Sequence, residues 1–95
     1  MTAASGEARR EVTIVNKRGL HARASAKFVT AVAAMDRCEV RVARDGHSAA
    51  GGSILGLMML GAAKGDSITI HTKGDGADAA LLKLVGLVKD SFGED

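Results

Sequence analysis

His21 and Arg23, two residues apart in the stretch Gly19-Leu20-His21-Ala22-Arg23, could together carry an anion. The stretch lies between an alternating run, Glu11 to Asn16, and a helical run, Ala22 to Met35. It therefore falls where a strand hands over to a helix. The first turn of a helix has backbone N–H groups without intrahelical partners, and it is the positive end of the helix dipole. Such a terminus is a ready anion site. A histidine there can take a phosphate on a ring nitrogen while the N–H groups receive its oxygens. Arg23 adds a planar fork of donors suited to phosphate. The pattern points to a phosphate-carrying histidine rather than a metal ligand or a proton shuttle.

The flanking elements follow from periodicity. Val12 and Ile14 alternate with polar neighbours, which predicts a strand over Glu11 to Asn16. Ala24, Phe28, Ala31, Val32 and Met35 recur at spacings of three and four, which predicts an amphipathic helix. Glu39 to Val42 alternates again, Asp45-Gly46 marks a tight turn, and a short strand follows around Ser48 to Ala50. Ser53 precedes Ile54 to Leu60, and Gly61 closes that run, the start and stop signals of a two-turn helix. Ile68 to His71 predicts a fourth strand. Leu81, Leu84, Val85, Val88 and Phe92 predict the buried stripe of a last helix. The order is β-α-β-β-α-β-α. Alternating strands imply a sheet with one wet face. The expected fold is α+β: an open-faced β-sandwich, a four-stranded antiparallel sheet covered on one face by three helices. Residues 1–10 are small and polar and are expected to be a disordered tail, leaving 11–95 as the domain.

Ninety-five residues make one small domain. Apolar residues are 46% of the chain but aromatics only 2%, so aliphatic side chains must fill the core. The net charge of +2 is dispersed, with no basic cluster or aromatic stacking set, which argues against nucleic acid. A single cysteine, Cys38, excludes an internal disulfide and a cysteine-based zinc site. No metal and no cofactor are expected. No run is long enough to span a membrane, and the expected location is the cytoplasm. His47, in a turn, and His71, on the wet face of a strand, are read as ordinary surface residues.

Three segments carry a family resemblance: Asn16 to Arg23, Ser53 to Gly61, and Ala63-Lys64-Gly65-Asp66. From about Glu11 to Phe92 the chain resembles the HPr family, histidine-containing phosphocarriers of the bacterial phosphotransferase system. The order of elements also matches that fold. The resemblance implies a phosphocarrier without independent turnover. His21 would accept phosphate on Nδ1 from phosphorylated Enzyme I and pass it to an EIIA-type protein. Arg23 would hold the phosphoryl oxygens, the backbone of the first turn (Ala22, Ala24) would complete the cradle, and Asn16 would orient the loop. The family commonly has proline after the arginine; Ala24 stands there instead. With the Ala-rich helix, this resembles proteobacterial forms whose output is mainly regulatory (nitrogen-type). That is the alternative reading.

Ser53 is explained by helix capping alone. The resemblance adds a second role, regulatory phosphorylation by an HPr kinase/phosphorylase. Ile54 to Leu60 has no polar side chain, and a short helix cannot bury every face. Leu57 and Leu60 are expected in the core. Ile54, Leu55 and Met58, with Leu20 and Lys27, are expected at the surface that docks Enzyme I and EIIA. Lys17, Arg18 and Lys64 would extend a basic rim. The family's small carriers imply a monomer.

Overall fold

Alternation decides which face of each strand is buried. Val12, Val40, Val42, Ile68 and Ile70 turn inward, while Glu11, Glu39, Arg41 and Lys73 stay exposed on the other face. The computed structural model describes residues 6–94. Its elements are β1 (Glu7–Thr13), α1 (Ala22–Ala33), β2 (Cys38–Arg44), β3 (His47–Ala50), α2 (Ile54–Met59), β4 (Ser67–Gly74) and α3 (Ala77–Lys89), with a final 3-10 turn at Ser91–Gly93. The strands form one antiparallel sheet in the order β1-β4-β2-β3. The expected element order and open-faced α+β architecture are both present. α3 packs on β1 and β4, α2 meets β3, and α1 packs against α2. The chain's two phenylalanines, Phe28 and Phe92, are both buried in the single core, with Ile14, Leu57 and Leu84.

Several boundaries differ from expectation. β1 begins at Glu7, so part of the expected tail belongs to the sheet: Glu7 pairs with Lys73 and Arg10 with Ile70. The folded unit thus starts before residue 11. An edge strand buries little on its inward side, so the small Ala8 suffices and no apolar alternation announces it. Residues 1–5 of that tail lie outside the described residues. β4 runs beyond His71 to Gly74 because it is central and pairs on both sides. α1 stops at Ala33, and its last turn tightens as Met35 N–H donates to the Val32 carbonyl (2.8 Å). α3 ends at Lys89, so Phe92 is buried but not helical.

One glycine is required where β1 leads into α1. Gly19 has φ +63°, and a Cβ there would lie 2.3 Å from the Ala62 carbonyl oxygen. The residue must be left-handed and must pass close to a backbone oxygen. Gly19→Ala is expected to lower unfolding free energy by about 2–4 kcal/mol. Urea denaturation checks this; a loss below about 0.5 kcal/mol would show that the loop relaxes around the methyl group.

Candidate functional site

The loop before α1 is held from both sides. Asn16 is fully buried, and its Nδ2 donates to the Gly19 carbonyl (2.9 Å) and to Glu94 Oε1 (3.1 Å). The Gly19 N–H donates to the Asn16 carbonyl at 3.2 Å, closing a turn, and the Leu20 N–H donates to the Ala62 carbonyl at 3.0 Å. Ser25, also buried, donates its hydroxyl to the Leu20 carbonyl (3.2 Å). These contacts deliver His21, in extended conformation, to the N-cap of α1.

His21 caps its own helix. Its Nδ1 accepts from the Arg23 N–H at 3.2 Å, and its Nε2 lies 2.6 Å from Glu94 Oε2. A backbone N–H can only donate, so Nδ1 carries a lone pair. In the neutral ring the proton is therefore on Nε2, donated to Glu94. Nδ1 is thus the unprotonated ring nitrogen, aimed at the first turn of the helix. Burial raises the Glu94 pKa. Hydrogen bonds from His21 and Asn16, with the charges of His21 and Lys27, outweigh that and hold the carboxyl below its ordinary value.

Lys17, Arg18, His21, Arg23 and Glu94 line one open depression of about 460 Å³. Arg23 is exposed, and no carbonyl partner exists for the first-turn N–H groups in helix geometry. An anion beside Nδ1 would meet backbone donors at the base of the depression and three cationic side chains, Lys17, Arg18 and Arg23, around it. Among the residues expected to matter, Asn16, His21 and Arg23 are thus brought together with the backbone of Ala22 and Ala24. Ala24's methyl group points into the core.

Glu94 has no forewarning in the sequence. It is 73 positions from His21, and periodicity ends before it. It arrives through a backbone reversal at Ser91 (φ 57°) and Phe92 (φ 54°), two non-glycine residues in left-handed conformation. Phe92 is buried, and its carbonyl accepts from Lys27 Nζ at 2.8 Å. Lys27 therefore ties down this segment; neither it nor Lys64 lines the depression.

Leu20 corrects the expected docking surface. It is 5% exposed and packs in the core, because the loop turns its side chain inward while its N–H reaches Ala62. On α2 the expectation matches more closely. Leu57 and Leu60 are buried; Ile54, Leu55 and Met58 are exposed, as is Met59, which the sequence reading did not select. Ser53 is the N-cap, accepting from the Gly56 N–H at 2.9 Å.

The chain matches the sequence-family model described as PTS HPr component phosphorylation site over residues 8–90. It is 51% identical over 85 residues to the phosphocarrier protein HPr of Pseudomonas aeruginosa, covering 88% of this chain and 93% of that one. It is 42% identical to the phosphocarrier protein NPr of Shewanella violacea, covering 90% and 92%. The crystal structure of HPr from Thermoanaerobacter tengcongensis superposes with a TM-score of 0.87 at 33% identity, covering 93% and 98%. The chain belongs to the HPr family of phosphocarriers.

Two outcomes follow from the His21–Glu94 contact. Nitrogen-15 NMR of neutral His21 is expected to show Nε2–H and an unprotonated Nδ1; the opposite tautomer would contradict the assigned roles. The lowered Glu94 pKa also makes its carboxylate stabilising. That contribution is complete above the ordinary value of 4.5 and is lost as pH falls through the lowered folded-state value. The stability gap between wild type and Glu94→Gln should therefore be wide near neutral pH and close in strong acid. A gap that does not change with pH would remove the carboxylate's role.

Proposed function

We propose that this HPr-family chain takes a phosphoryl group from phosphorylated Enzyme I onto His21 Nδ1 and gives it to a histidine of an EIIA-type protein. The observation that carries the reading is the unprotonated Nδ1 at the N-terminus of α1, its lone pair turned to the Arg23 N–H, with Nε2 held by Glu94. In the forward step the Nδ1 lone pair attacks phosphorus in line with the donor's P–N bond. That bond breaks, and its electron pair returns to the donor nitrogen. The phosphorylated ring still bears its Nε2 proton and is cationic. Glu94 is placed to stabilise that charge, while the Arg23 side chain and the backbone N–H groups meet the phosphoryl oxygens. Transfer to the acceptor is the reverse displacement. Lys17 and Arg18 at the rim favour encounter with acidic partners. The exposed apolar side chains of α2 supply the docking surface, Leu55 and Met59 being 67% and 77% exposed.

Ser53 is the proposed regulatory site, a substrate for an HPr kinase/phosphorylase. The support is the family resemblance and its position immediately before Ile54 and Leu55. A phosphate of about −1.5 to −2 charge there would face an approaching acidic partner. The mainly regulatory, nitrogen-type reading draws on the similarity to the Shewanella NPr and on Ala24.

Intact-mass spectrometry after incubation with phosphoenolpyruvate and Enzyme I tests the reading. One acid-labile phosphate is expected on wild type and none on His21→Ala. Arg23→Ala should slow transfer by roughly 10- to 100-fold, in line with losing one preorganised charge stabiliser. Phosphate uptake by His21→Ala would overturn the assignment. A separate incubation with ATP and HPr kinase is expected to place an acid-stable phosphate on Ser53; none would remove that site.

A further inference from the structure

The link between α2 and β4 touches both the apolar helix and the histidine loop, and one cation from β2 holds it. Arg44 Nη1 donates to the Leu60 carbonyl at 2.9 Å, and Leu60 is the C-cap of α2. The last carbonyls of a helix lack intrahelical partners and form its negative end. α2 has no basic residue in its own last turn, so Arg44 supplies that cation from the neighbouring strand. Arg44 Nη2 also forms an ion pair with Asp66 Oδ2 at 3.1 Å, both side chains being half-buried. The same Asp66 oxygen accepts from the Ala63 N–H at 2.9 Å, closing a tight turn over residues 63–66. One residue earlier, the Ala62 carbonyl receives the Leu20 N–H, next to His21. The Asp66 carbonyl and the Gly65 N–H bond to Ile14, both at 2.8 Å. One ion pair, Arg44–Asp66, and the hydrogen bonds on either side of it therefore lead from the end of α2 to the backbone beside His21.

We infer that Arg44 and Asp66 are positioning residues that hold the exposed face of α2 in register with His21. This rests on the proposal that α2 docks the phosphoryl donor. The pair touches neither the transferred phosphate nor the ring. Its effect is to keep two surfaces, one apolar and one reactive, in the relative placement a single partner must meet. Without it the short helix can fray from its C-terminal end, and docking must first restore order.

Arg44→Met keeps most of the stem and removes both the hydrogen bond to Leu60 and the ion pair with Asp66; Asp66→Asn removes the anion alone. Phosphoryl transfer from phosphorylated Enzyme I is expected to show KM raised about three- to tenfold and kcat within about twofold. The His21 ring tautomer, followed by NMR, should stay as it is in wild type. Arg44→Lys can reach Leu60 or Asp66 but not span both, so it should recover part of the KM. In the isolated protein, the Leu20 amide should exchange about tenfold faster in Arg44→Met. An unchanged KM in a folded Arg44→Met or Asp66→Asn protein would overturn the inference. So would a fall in kcat that merely tracks lost stability. If wild type itself takes no phosphate from Enzyme I, the carrier reading fails, and an unaltered Leu20 exchange rate would separately overturn the clamp. Should Arg44→Met not fold, Asp66→Asn decides by the same criteria.

Discussion

The structure turns on one hydrogen bond, from the Arg23 amide to His21 Nδ1. Most N-caps are filled by Ser, Thr, Asp or Asn, whose oxygens occupy that position permanently. Here the acceptor is a ring nitrogen, and it is the atom proposed to do the chemistry. When Nδ1 bonds phosphorus its lone pair is consumed, and the amide loses its acceptor. A phosphoryl oxygen is then available in the same region to take it over. On the proposed role the cap would pass from nitrogen to oxygen, and the helix need not unwind between the two states. A carrier that must be stable both loaded and empty benefits from such an exchange.

The other ring nitrogen is governed from the far end of the chain. Glu94 reaches Nε2 only because Ser91 and Phe92 adopt left-handed backbone conformations, which cost on the order of 1–3 kcal/mol each for ordinary residues. Burial of the Phe92 ring, together with the Lys27 hydrogen bond to its carbonyl, offsets that cost. The strain serves geometry: the reversal carries the chain from the end of α3 back to the mouth of the depression. Asn16 closes the arrangement by donating to both the loop and the carboxylate from a fully buried position.

Local pattern exposed much of this and long-range geometry the rest. The strand–loop–helix placement of His21 was legible because alternation changes to a period of 3.6 at that point. Ser53 and Gly61 marked the ends of α2 by their capping chemistry. Glu7 to Arg10 gave no strand signal, since an edge strand with Ala8 inward needs no apolar alternation. Leu20 read as exposed because it adjoins a reactive residue. Only the Ala62 contact reveals that the loop turns it inward. Glu94 and Arg44 were illegible for one shared reason: each acts on an element distant in sequence, through hydrogen bonds that leave no periodic trace.

α2 shows how a sequence can leave one decision to the fold. Its six residues include no polar side chain, so hydrophobicity alone cannot say which face is buried. The sheet decides, because α2 can rest on β3 and α1 in only one rotation that puts both Leu57 and Leu60 in the core. Once those two are inside, the spacing of a helix forces Leu55, Met58 and Met59 outward. Geometry thus fixes which positions face outward, while their apolar identity is a separate choice of the sequence. Retaining apolar residues there raises the risk of self-association, which polar ones would remove at little cost to the core. Exposed methionines are also adaptable in shape, which suits the proposed docking of a donor and an acceptor in turn. A covalent carrier binds only long enough to exchange one group, so small area and soft side chains fit the task better than a large, rigid interface.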